Sequence, residues 1–416
     1  MIEEFKIKNY KNLKFEREIE LKKINILIGA NGSGKSNFID ATLFFKDLIK
    51  KGLQDAIRDR KSNEILNKYE EDNKVELEVS LNTETKFSSF KYKLVFSVPK
   101  DRRDYYHSLP RIQKEELTYK EPSDPTKDKP FGFIRCHGYR PGKCDFPILI
   151  KDRKGNKRLI SEVIKISQEE TFFKQVEYIS MKFAREKKYI PKFYDVIRDI
   201  NDYVESWRHF TMSEIDLAEL RKPFEITGKT DKLLPNLKNL GEFLINNIYT
   251  KYTDEGAGFF DRLNSYFNQP VEIKFQQVDR YLHVYLRLNG RDFPMSSLSD
   301  GQIRIIILLA ILYLDKNSKV VFIDEPELNL HTSWLLKLRR DFYNSDKQLI
   351  LSTHSADLLD TFTEDFIDGE VNILVFENGK VGQLKFDEKF KDRFEEGYEL
   401  GDLYRMGDPI VGGWED

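Results

Sequence analysis

One short run of the sequence combines glycines with a lysine and a serine at a spacing suited to phosphate. Residues 29–36 read Gly-Ala-Asn-Gly-Ser-Gly-Lys-Ser, between a largely apolar run at 24–28 and a helical pattern that opens near Phe38. Glycines let backbone N–H groups approach phosphate, and the N-terminus of the next helix offers further N–H donors. We expect Lys35 to reach the β- and γ-phosphates and the Ser36 hydroxyl to bind Mg²⁺. The predicted nucleoside triphosphate contacts are Gly29, Asn31, Gly32, Ser33, Gly34, Lys35, Ser36 and Asn37.

A pair of carboxylates follows a second apolar run. Residues 320–323 read Val-Val-Phe-Ile, and Asp324 and Glu325 come next. A continuous apolar run is typical of a buried parallel strand, whose carboxyl end is where α/β proteins bind ligands. We therefore expect Asp324 to hold Mg²⁺ through water and Glu325 to be the catalytic base that orients the attacking water. The alternative is that this pair caps a helix.

Two other segments carry groups that suit a phosphate. Ser299-Asp300-Gly301-Gln302 precedes an apolar helical run at 303–314, and a capped helix N-terminus beside a glycine can bind an anion. The apolar run ending at Leu351 leads to Ser-Thr-His-Ser, which places His354 at the end of a strand, near a γ-phosphate or the attacking water. A plain helix cap and a structural histidine are the alternatives. The residues alone do not explain why one chain has two potential phosphate cradles.

The composition of the chain argues against several classes of protein. The 416 residues include 68 basic and 70 acidic ones, so no overall field favours nucleic acid or an anionic membrane. There is no apolar run long enough for a transmembrane helix, and the N-terminus lacks the features of a signal peptide. Only two cysteines, Cys136 and Cys144, are present, which suits a reducing compartment. We expect a cytoplasmic protein that does not bind membranes.

The periodicity indicates an α/β chain. Residues 75–98 alternate with period two and predict paired antiparallel strands, and residues 146–164 predict a further hairpin. Prolines and charges in 100–130 predict mostly loop, whereas helical spacing dominates from Glu169 to Trp207. The polar stretch 253–258 is expected to lead into the next helix. We predict three parts: 1–165 with the phosphate loop and an antiparallel β-subdomain, 166–254 as an inserted helical lobe, and 255–416 with the remaining site residues.

Together these motifs resemble the ABC-type ATPases, and in particular their SMC/RecF-like branch. Gly29–Ser36 matches the Walker A motif, 320–325 the Walker B motif with its catalytic glutamate, and 298–302 the signature motif, with Asp300 where many members have glycine. Residues 328–331 lie at the D-loop position and His354 at the switch histidine; Gln175 is a candidate for the Q-loop glutamine. The resemblance implies an ABC-type ATPase head, with a mixed sheet, a flanking antiparallel β-subdomain and an inserted helical lobe.

More narrowly, the chain resembles the compact, RecF-like bacterial AAA family ATPases of stand-alone and antiphage operons. Their motifs Ser-Asp-Gly, Asp-Glu-Pro-Glu, Thr-His-Ser and Leu-Gly-Asp-Leu occur at 299–301, 324–327, 353–355 and 400–403. The resemblance implies a head-to-tail homodimer or higher homo-oligomer, in which Ser299, Gly301 and Gln302 of one subunit close on ATP held by the other. The second phosphate cradle is then the partner's. The long coiled coil of SMC proteins is absent.

Two functional hypotheses follow from this resemblance. The first is a Mg²⁺-dependent ATPase that acts as a dimeric switch or scaffold in prokaryotic antiphage defence and controls a separately encoded effector, such as a nuclease or toxin. The alternative is a DNA-repair ATPase that clamps duplex DNA in its ATP-bound dimer. It would use basic patches such as 151–158 or 182–188, and its affinity would fall steeply with salt.

Overall fold

The fold is known from a computed structural model. It describes residues 1–60, 65–67, 72–83, 89–99, 109–120, 132–136, 143–151, 157–185, 193–228, 232–249 and 254–411. The chain divides into two compact units. Unit 1 consists of residues 1–22, 31–205 and 376–382, and unit 2 of residues 23–30, 206–375 and 383–416.

The described residues contain both strands and helices. In order, the strands are β1 Ile2–Tyr10, β2 Leu13–Lys14, β3 Ile19–Glu20, β4 Ile24–Ile28, β5 Lys74–Asn82, β6 Ser89–Ser97, β7 Arg111–Lys120, β8 Gly132–Cys136, β9 Lys143–Lys151, β10 Lys157–Lys165, β11 Trp207–Thr211, β12 Phe224–Glu225, β13 Val271–Val278, β14 Tyr281–Leu288, β15 Arg291–Pro294, β16 Val320–Asp324, β17 Gln348–Ser352, β18 Val371–Glu377 and β19 Lys380–Gln383.

The helices are α1 Lys35–Lys51, α2 Leu53–Arg58, α3 Val176–Arg185, α4 Phe193–Glu205, α5 Leu217–Leu220, α6 Leu240–Tyr249, α7 Asp254–Phe267, α8 Asp300–Leu309, α9 Thr332–Asn344, α10 Ala356–Asp360, α11 Thr363–Ile367, α12 Glu388–Glu395 and α13 Leu400–Arg405. Short 3₁₀ turns cover Met212–Glu214 and Met295–Ser297, and α8 continues as a π-helical segment, Ala310–Leu314.

Unit 1 is built on an antiparallel sheet with the order β10-β9-β8-β7-β6-β5-β1-β2, and β3 also pairs with β1. Helix α1 packs its aromatic face against this sheet: the rings of Phe5 and Phe38 meet edge-on with centroids 5.3 Å apart, and those of Tyr10 and Phe44 lie 5.2 Å apart. The period-two pattern of 75–98 and the hairpin at 146–164 are confirmed as β5–β6 and β9–β10. The predicted antiparallel β-subdomain is therefore present.

Unit 2 contains a parallel sheet whose described strands run in the order β11-β16-β17-β4-β18. The short apolar runs of the sequence form its centre, because all five residues of β4 and of β17 are buried. Helix α8 is buried from Ile303 to Leu309, as its apolar composition requires. A second, antiparallel sheet has the order β12-β14-β13, with β15 also on β14. The α/β fold class, with both sheet types, is confirmed.

The structure adds three local details to these predictions. Within 100–130, where mostly loop was predicted, the described residues include the strand β7, Arg111–Lys120; Pro110 precedes this strand, where it removes no ladder hydrogen bond. The polar stretch 253–258, which was expected to lead into a helix, already contains the start of α7 at Asp254. The segment 166–254 also supplies β11, a parallel neighbour of β16. The three predicted domain boundaries remain predictions.

Candidate functional site

The phosphate-loop candidate leaves β4 and enters α1, as its sequence context predicts. Gly29, Gly32 and Gly34 have φ of 139°, 75° and 123°. Residues with a Cβ rarely adopt these backbone angles. Gly34 is the N-cap of α1, and a Cβ there would lie 3.0 Å from the Leu13 side chain. Backbone conformation thus favours glycine at all three positions, and lack of space adds to this at Gly34.

Neighbouring turns of unit 1 hold the loop in shape. The Asn12 amide donates to the Gly32 carbonyl at 3.0 Å, and its oxygen accepts from the Asn37 side chain at 2.8 Å. The amide N–H of Gly379 donates to the Ser33 carbonyl at 2.9 Å. A loop fixed in this way before ligand binding loses little conformational freedom when it binds. Asn12 was not predicted as a site residue, and only a lone asparagine in a tight turn marks it in the sequence.

The candidate nucleotide contacts differ in their exposure. Lys35 and Ser33 are buried, at 6% and 7% exposure, whereas Asn31 and Ser36 are exposed. The Ser36 hydroxyl and the Asp324 carboxylate are oxygen donors, which is the ligand chemistry that Mg²⁺ prefers. Ser36 is the second residue of α1 in unit 1, and Asp324 ends β16 in unit 2. Each of these oxygen donors, taken by itself, has the chemistry to bind a magnesium ion.

Unit 2 brings the start of the phosphate loop, the carboxylate pair and His354 to one edge of its parallel sheet. Strands β16, β17 and β4 are neighbours, with Asp324 opposite Ser352 and Ser352 opposite Leu27. Because the strands are parallel, the residues after their carboxyl ends share an edge. Backbone hydrogen bonds continue past the strands: Glu325 N–H donates to the Ser352 carbonyl at 2.8 Å, and Thr353 N–H to the Leu27 carbonyl at 3.1 Å.

Glu325 has an unusual backbone conformation for a glutamate. Its φ is +55°, in the left-handed region that few residues with a Cβ adopt. The turn after it is closed by hydrogen bonds from Leu328 N–H to the Glu325 carbonyl and from Leu330 N–H to the Glu327 carbonyl, at 3.1 and 2.9 Å. Backbone conformations of this kind concentrate at functional sites, where the surrounding structure maintains them. The conformation supports a special role for Glu325.

The signature-like segment forms a capped helix start. The Ser299 hydroxyl accepts from Gln302 N–H at 3.3 Å, and the Gln302 side chain accepts from Ser299 N–H at 2.9 Å, which is a capping box. A Cβ on Gly301 would lie 2.7 Å from the Asn329 carbonyl oxygen. Gly301 therefore permits close approach between this segment and the predicted D-loop of the same chain.

Asp300, which stands where many relatives have glycine, is an ion-pair partner. The Arg221 guanidinium donates to its carboxylate at 2.5 Å and lowers the pKa of Asp300, and the Asn329 side chain donates at 3.3 Å. Arg221 also donates to the Leu298 carbonyl at 3.1 Å. The Asp300 carboxylate thus links the signature-like segment to Arg221, which follows α5, and to Asn329 of the predicted D-loop. A glycine at this position could not make these contacts.

Arg304, like Asp300, is a charged residue that was not predicted from the sequence to belong to the site. It lies buried in α8, and its guanidinium donates to the Met212 carbonyl at 2.5 Å. Burial lowers the pKa of Arg304, while Asp300 and Glu325 act to raise it. Its only signal in the sequence is a single arginine within an apolar helix.

Several other predicted features can be located only in part. The Gln175 side chain is engaged within unit 1, where it donates to the Glu170 carbonyl at 2.8 Å and accepts from Ser167 N–H at 2.8 Å. The two basic patches fall mainly outside the described residues, which omit 152–156 and 186–192. Among the helices that the structure describes, none has the length and apolar character needed to span a membrane.

Comparisons with known proteins complete the description of the site. The profile of a family described as "AAA ATPase domain" matches residues 1–359. An "ATP/GTP phosphatase" of Helicobacter pylori is 22% identical over 381 residues, which are 86% of this chain and 87% of that protein.

Solved structures of SMC heads are also similar. One is an SMC head bound to the C-terminal winged-helix domain of ScpA, with a TM-score of 0.46 and 14% identity, covering 94% of this chain and 99% of that one. Another is the SMC head domain of Thermotoga maritima, with a TM-score of 0.43 and 13% identity over 93% of this chain and 99% of that one. The fold described above rests on strand order and register, not on these matches.

Proposed function

Since the chain belongs to the family of AAA ATPase domains, we propose that it binds and hydrolyses ATP with Mg²⁺ and works as a dimeric switch. In this proposal, ATP binding closes two subunits and hydrolysis opens them, and the closed state controls a separately encoded effector in prokaryotic antiphage defence. The site residues follow from the residue pattern, whereas the dimer and the defence role follow from the sequence resemblance.

The proposed catalytic role of Glu325 rests on its position at one edge of the parallel sheet in unit 2. Gly29, where the phosphate loop begins, and Glu325 follow strands of the same parallel sheet, and the left-handed backbone of Glu325 is fixed by a hydrogen bond to β17. Phosphoryl transfer depends mainly on positioning and charge stabilisation. A carboxylate held rigidly at the edge where the phosphate loop starts suits the task of orienting water.

Each residue then has a defined task. The backbone of Gly29, Asn31–Gly34 and Asn37 surrounds the phosphates, and Lys35 neutralises their charge. Ser36 and Asp324 would hold Mg²⁺, which neutralises charge that develops on the β- and γ-phosphate oxygens. Glu325 accepts the proton of the attacking water, and His354 contacts the γ-phosphate or that water. Lys35 is buried at the start of α1, so its side chain is already partly ordered before ATP binds.

The dimer follows from the second cradle. Ser299 and Gln302 cap α8, and Gly301 lies against the Asn329 carbonyl of the same chain. A helix N-terminus carries partial positive charge and suits a phosphate group. We propose that this end of α8 completes the γ-phosphate shell of the partner subunit's ATP. Closure of the dimer then requires ATP, because the negative charge of its phosphates attracts the N-terminus of α1 in one subunit and the N-terminus of α8 in the other.

The test is the mass of the assembly with and without nucleotide. Mass photometry would compare the wild type, Glu325→Gln and Lys35→Ala, each with ATP and Mg²⁺, with ADP, and with duplex DNA added. We expect ATP to convert Glu325→Gln from one chain to two and to leave Lys35→Ala unchanged. Failure of every nucleotide to change the mass of any variant would contradict the switch.

The measurements with added duplex DNA distinguish the two functional hypotheses. Assembly that DNA does not alter supports the effector switch. DNA that binds only to the ATP-closed dimer, with an affinity that falls steeply as salt rises, would replace the effector switch with the DNA clamp.

A further inference from the structure

A second glutamate, Glu327, lies two residues after the proposed base. Its Oε1 accepts a hydrogen bond from the Thr353 hydroxyl at 2.6 Å. Glu327 belongs to the turn that carries Glu325, and Thr353 belongs to the segment that carries His354. This side-chain hydrogen bond therefore links the two segments that present the proposed catalytic groups.

Thr353 is itself firmly anchored. Its hydroxyl accepts from Ser355 N–H at 2.9 Å while it donates to Glu327, and its own N–H donates to the Leu27 carbonyl at 3.1 Å. The Ser355 hydroxyl in turn accepts from Leu358 N–H at 3.1 Å and caps α10. The Thr353 hydroxyl thus lies at the centre of a continuous chain of hydrogen bonds from Glu327 to α10.

The second oxygen of Glu327 is buried and has no hydrogen-bond partner among the described residues. Burial raises the pKa of Glu327, and the nearby charge of Glu325 acts in the same direction. The Thr353 hydroxyl and backbone N–H groups, including that of His354, act to lower it, and Tyr404 is a further titratable neighbour. The loss of hydration at this buried oxygen is the main physical cause of the raised pKa.

We propose that Glu327 and Thr353 form a clasp that fixes the segment carrying Glu325 against the segment carrying His354. Glu327 is then a positioning residue for hydrolysis and does not touch the nucleotide. This inference rests on the proposed function, because Glu325 and His354 matter to it only as groups that act on ATP. It also assigns a task to the second glutamate of the Asp-Glu-Pro-Glu motif, which the mechanism above leaves without one.

The decisive variants change one atom group each. Thr353→Val keeps the shape of the side chain but removes the hydroxyl, Thr353→Ser keeps the hydroxyl, and Glu327→Gln keeps a neutral acceptor. Thr361→Val is the matched control, since its hydroxyl makes a comparable 2.7 Å bond to the Leu358 carbonyl outside the clasp. ATP affinity and kcat would be measured separately for each variant.

We expect Thr353→Val to lower kcat about tenfold or more, because small misplacements of catalytic groups cost rates of this order, while ATP affinity stays unchanged. Thr353→Ser and Glu327→Gln should keep most of the activity. A kcat for Thr353→Val equal to that of Thr361→Val would overturn the clasp, and so would a Glu327→Gln variant as inactive as Thr353→Val.

Hydrogen exchange separates failure of the clasp from failure of the proposed function. Thr353→Val should speed exchange of the Glu325 amide, which donates to Ser352, even without nucleotide. If wild type does not hydrolyse ATP, the proposed function fails while this exchange still tests the clasp. Unchanged exchange in Thr353→Val would refute the clasp regardless of any ATPase activity.

Discussion

Replacing the buried carboxyl of β7 should change how stability depends on pH. Glu115 is fully buried in unit 1, where it accepts hydrogen bonds from the Tyr92 hydroxyl at 2.7 Å and from Phe172 N–H at 3.0 Å. Burial raises its pKa from 4.5 to about 8. In the folded protein this carboxyl is therefore neutral at pH 7, whereas in the unfolded chain it is ionised.

The direction in which pH changes the free energy of unfolding follows from the proton that Glu115 releases on unfolding. Between pH 4.5 and about 8, unfolding releases the Glu115 proton, so rising pH favours the unfolded chain. The free energy of unfolding should fall by about 1.4 kcal/mol per pH unit from this group, which amounts to roughly 5 kcal/mol across the whole interval. Below pH 4.5 both states hold the proton, and the contribution is constant.

Glu115→Gln removes this slope. The amide cannot accept from Tyr92 and Phe172 at both of its ends, so the variant loses a constant amount of stability at every pH. Urea unfolding followed by far-UV circular dichroism between about pH 5 and pH 8 would compare it with wild type and with Glu116→Gln, a matched control on the same strand. Wild type and Glu116→Gln should lose stability more steeply than Glu115→Gln as pH rises. Parallel slopes for all three would refute the reasoning.

Two glycine substitutions give further tests. In Gly401→Ala the new methyl group would overlap the Ala356 carbonyl, so we expect a loss of about 1–3 kcal/mol in the free energy of unfolding. In Gly379→Ala the methyl group would overlap the Asn12 carbonyl at a φ of +79°, so thermal unfolding should shift down and ATP should bind more weakly. Gly258→Ala meets no atom within 4 Å in helix α7 and serves as the control, which should keep or slightly raise stability. Equal unfolding temperatures for all three variants would contradict both predictions.

The sequence predicted the elements whose side-chain pattern is continuous. The largely apolar runs at 24–28, 320–323 and 348–351 form β4, β16 and β17, because strands buried on both faces are composed mainly of apolar residues. The glycine positions of the phosphate loop were equally readable, since positive φ restricts the choice of residue.

Strand β7 was missed for two physical reasons. A bulge opposite Val95 and Phe96 leaves Gln113 without a cross-strand partner and shifts the alternation. Glu115 then occupies an inward position, and its partners Tyr92 and Phe172 come from other parts of the chain. A period-two search for apolar residues cannot recognise such a strand.

The site residues that were missed share a similar cause. Arg304 and Glu327 acquire their environment only when distant segments fold against them, namely Met212 for the arginine and Thr353 for the glutamate. Motif matching assigned one glutamate to catalysis and left the second unexplained. The contact that gives it a task is a long-range one, which spacing along the chain does not encode.

The central claim is that Glu325 acts on ATP held by Lys35, and single-turnover hydrolysis of radiolabelled ATP tests it most directly. Wild type, Lys35→Ala, Glu325→Gln and the surface control Glu396→Gln would be followed for bound ATP and released phosphate. We predict that Lys35→Ala retains no ATP, that Glu325→Gln retains ATP without releasing phosphate, and that Glu396→Gln behaves like wild type. Phosphate release by Glu325→Gln at the wild-type rate would contradict the account.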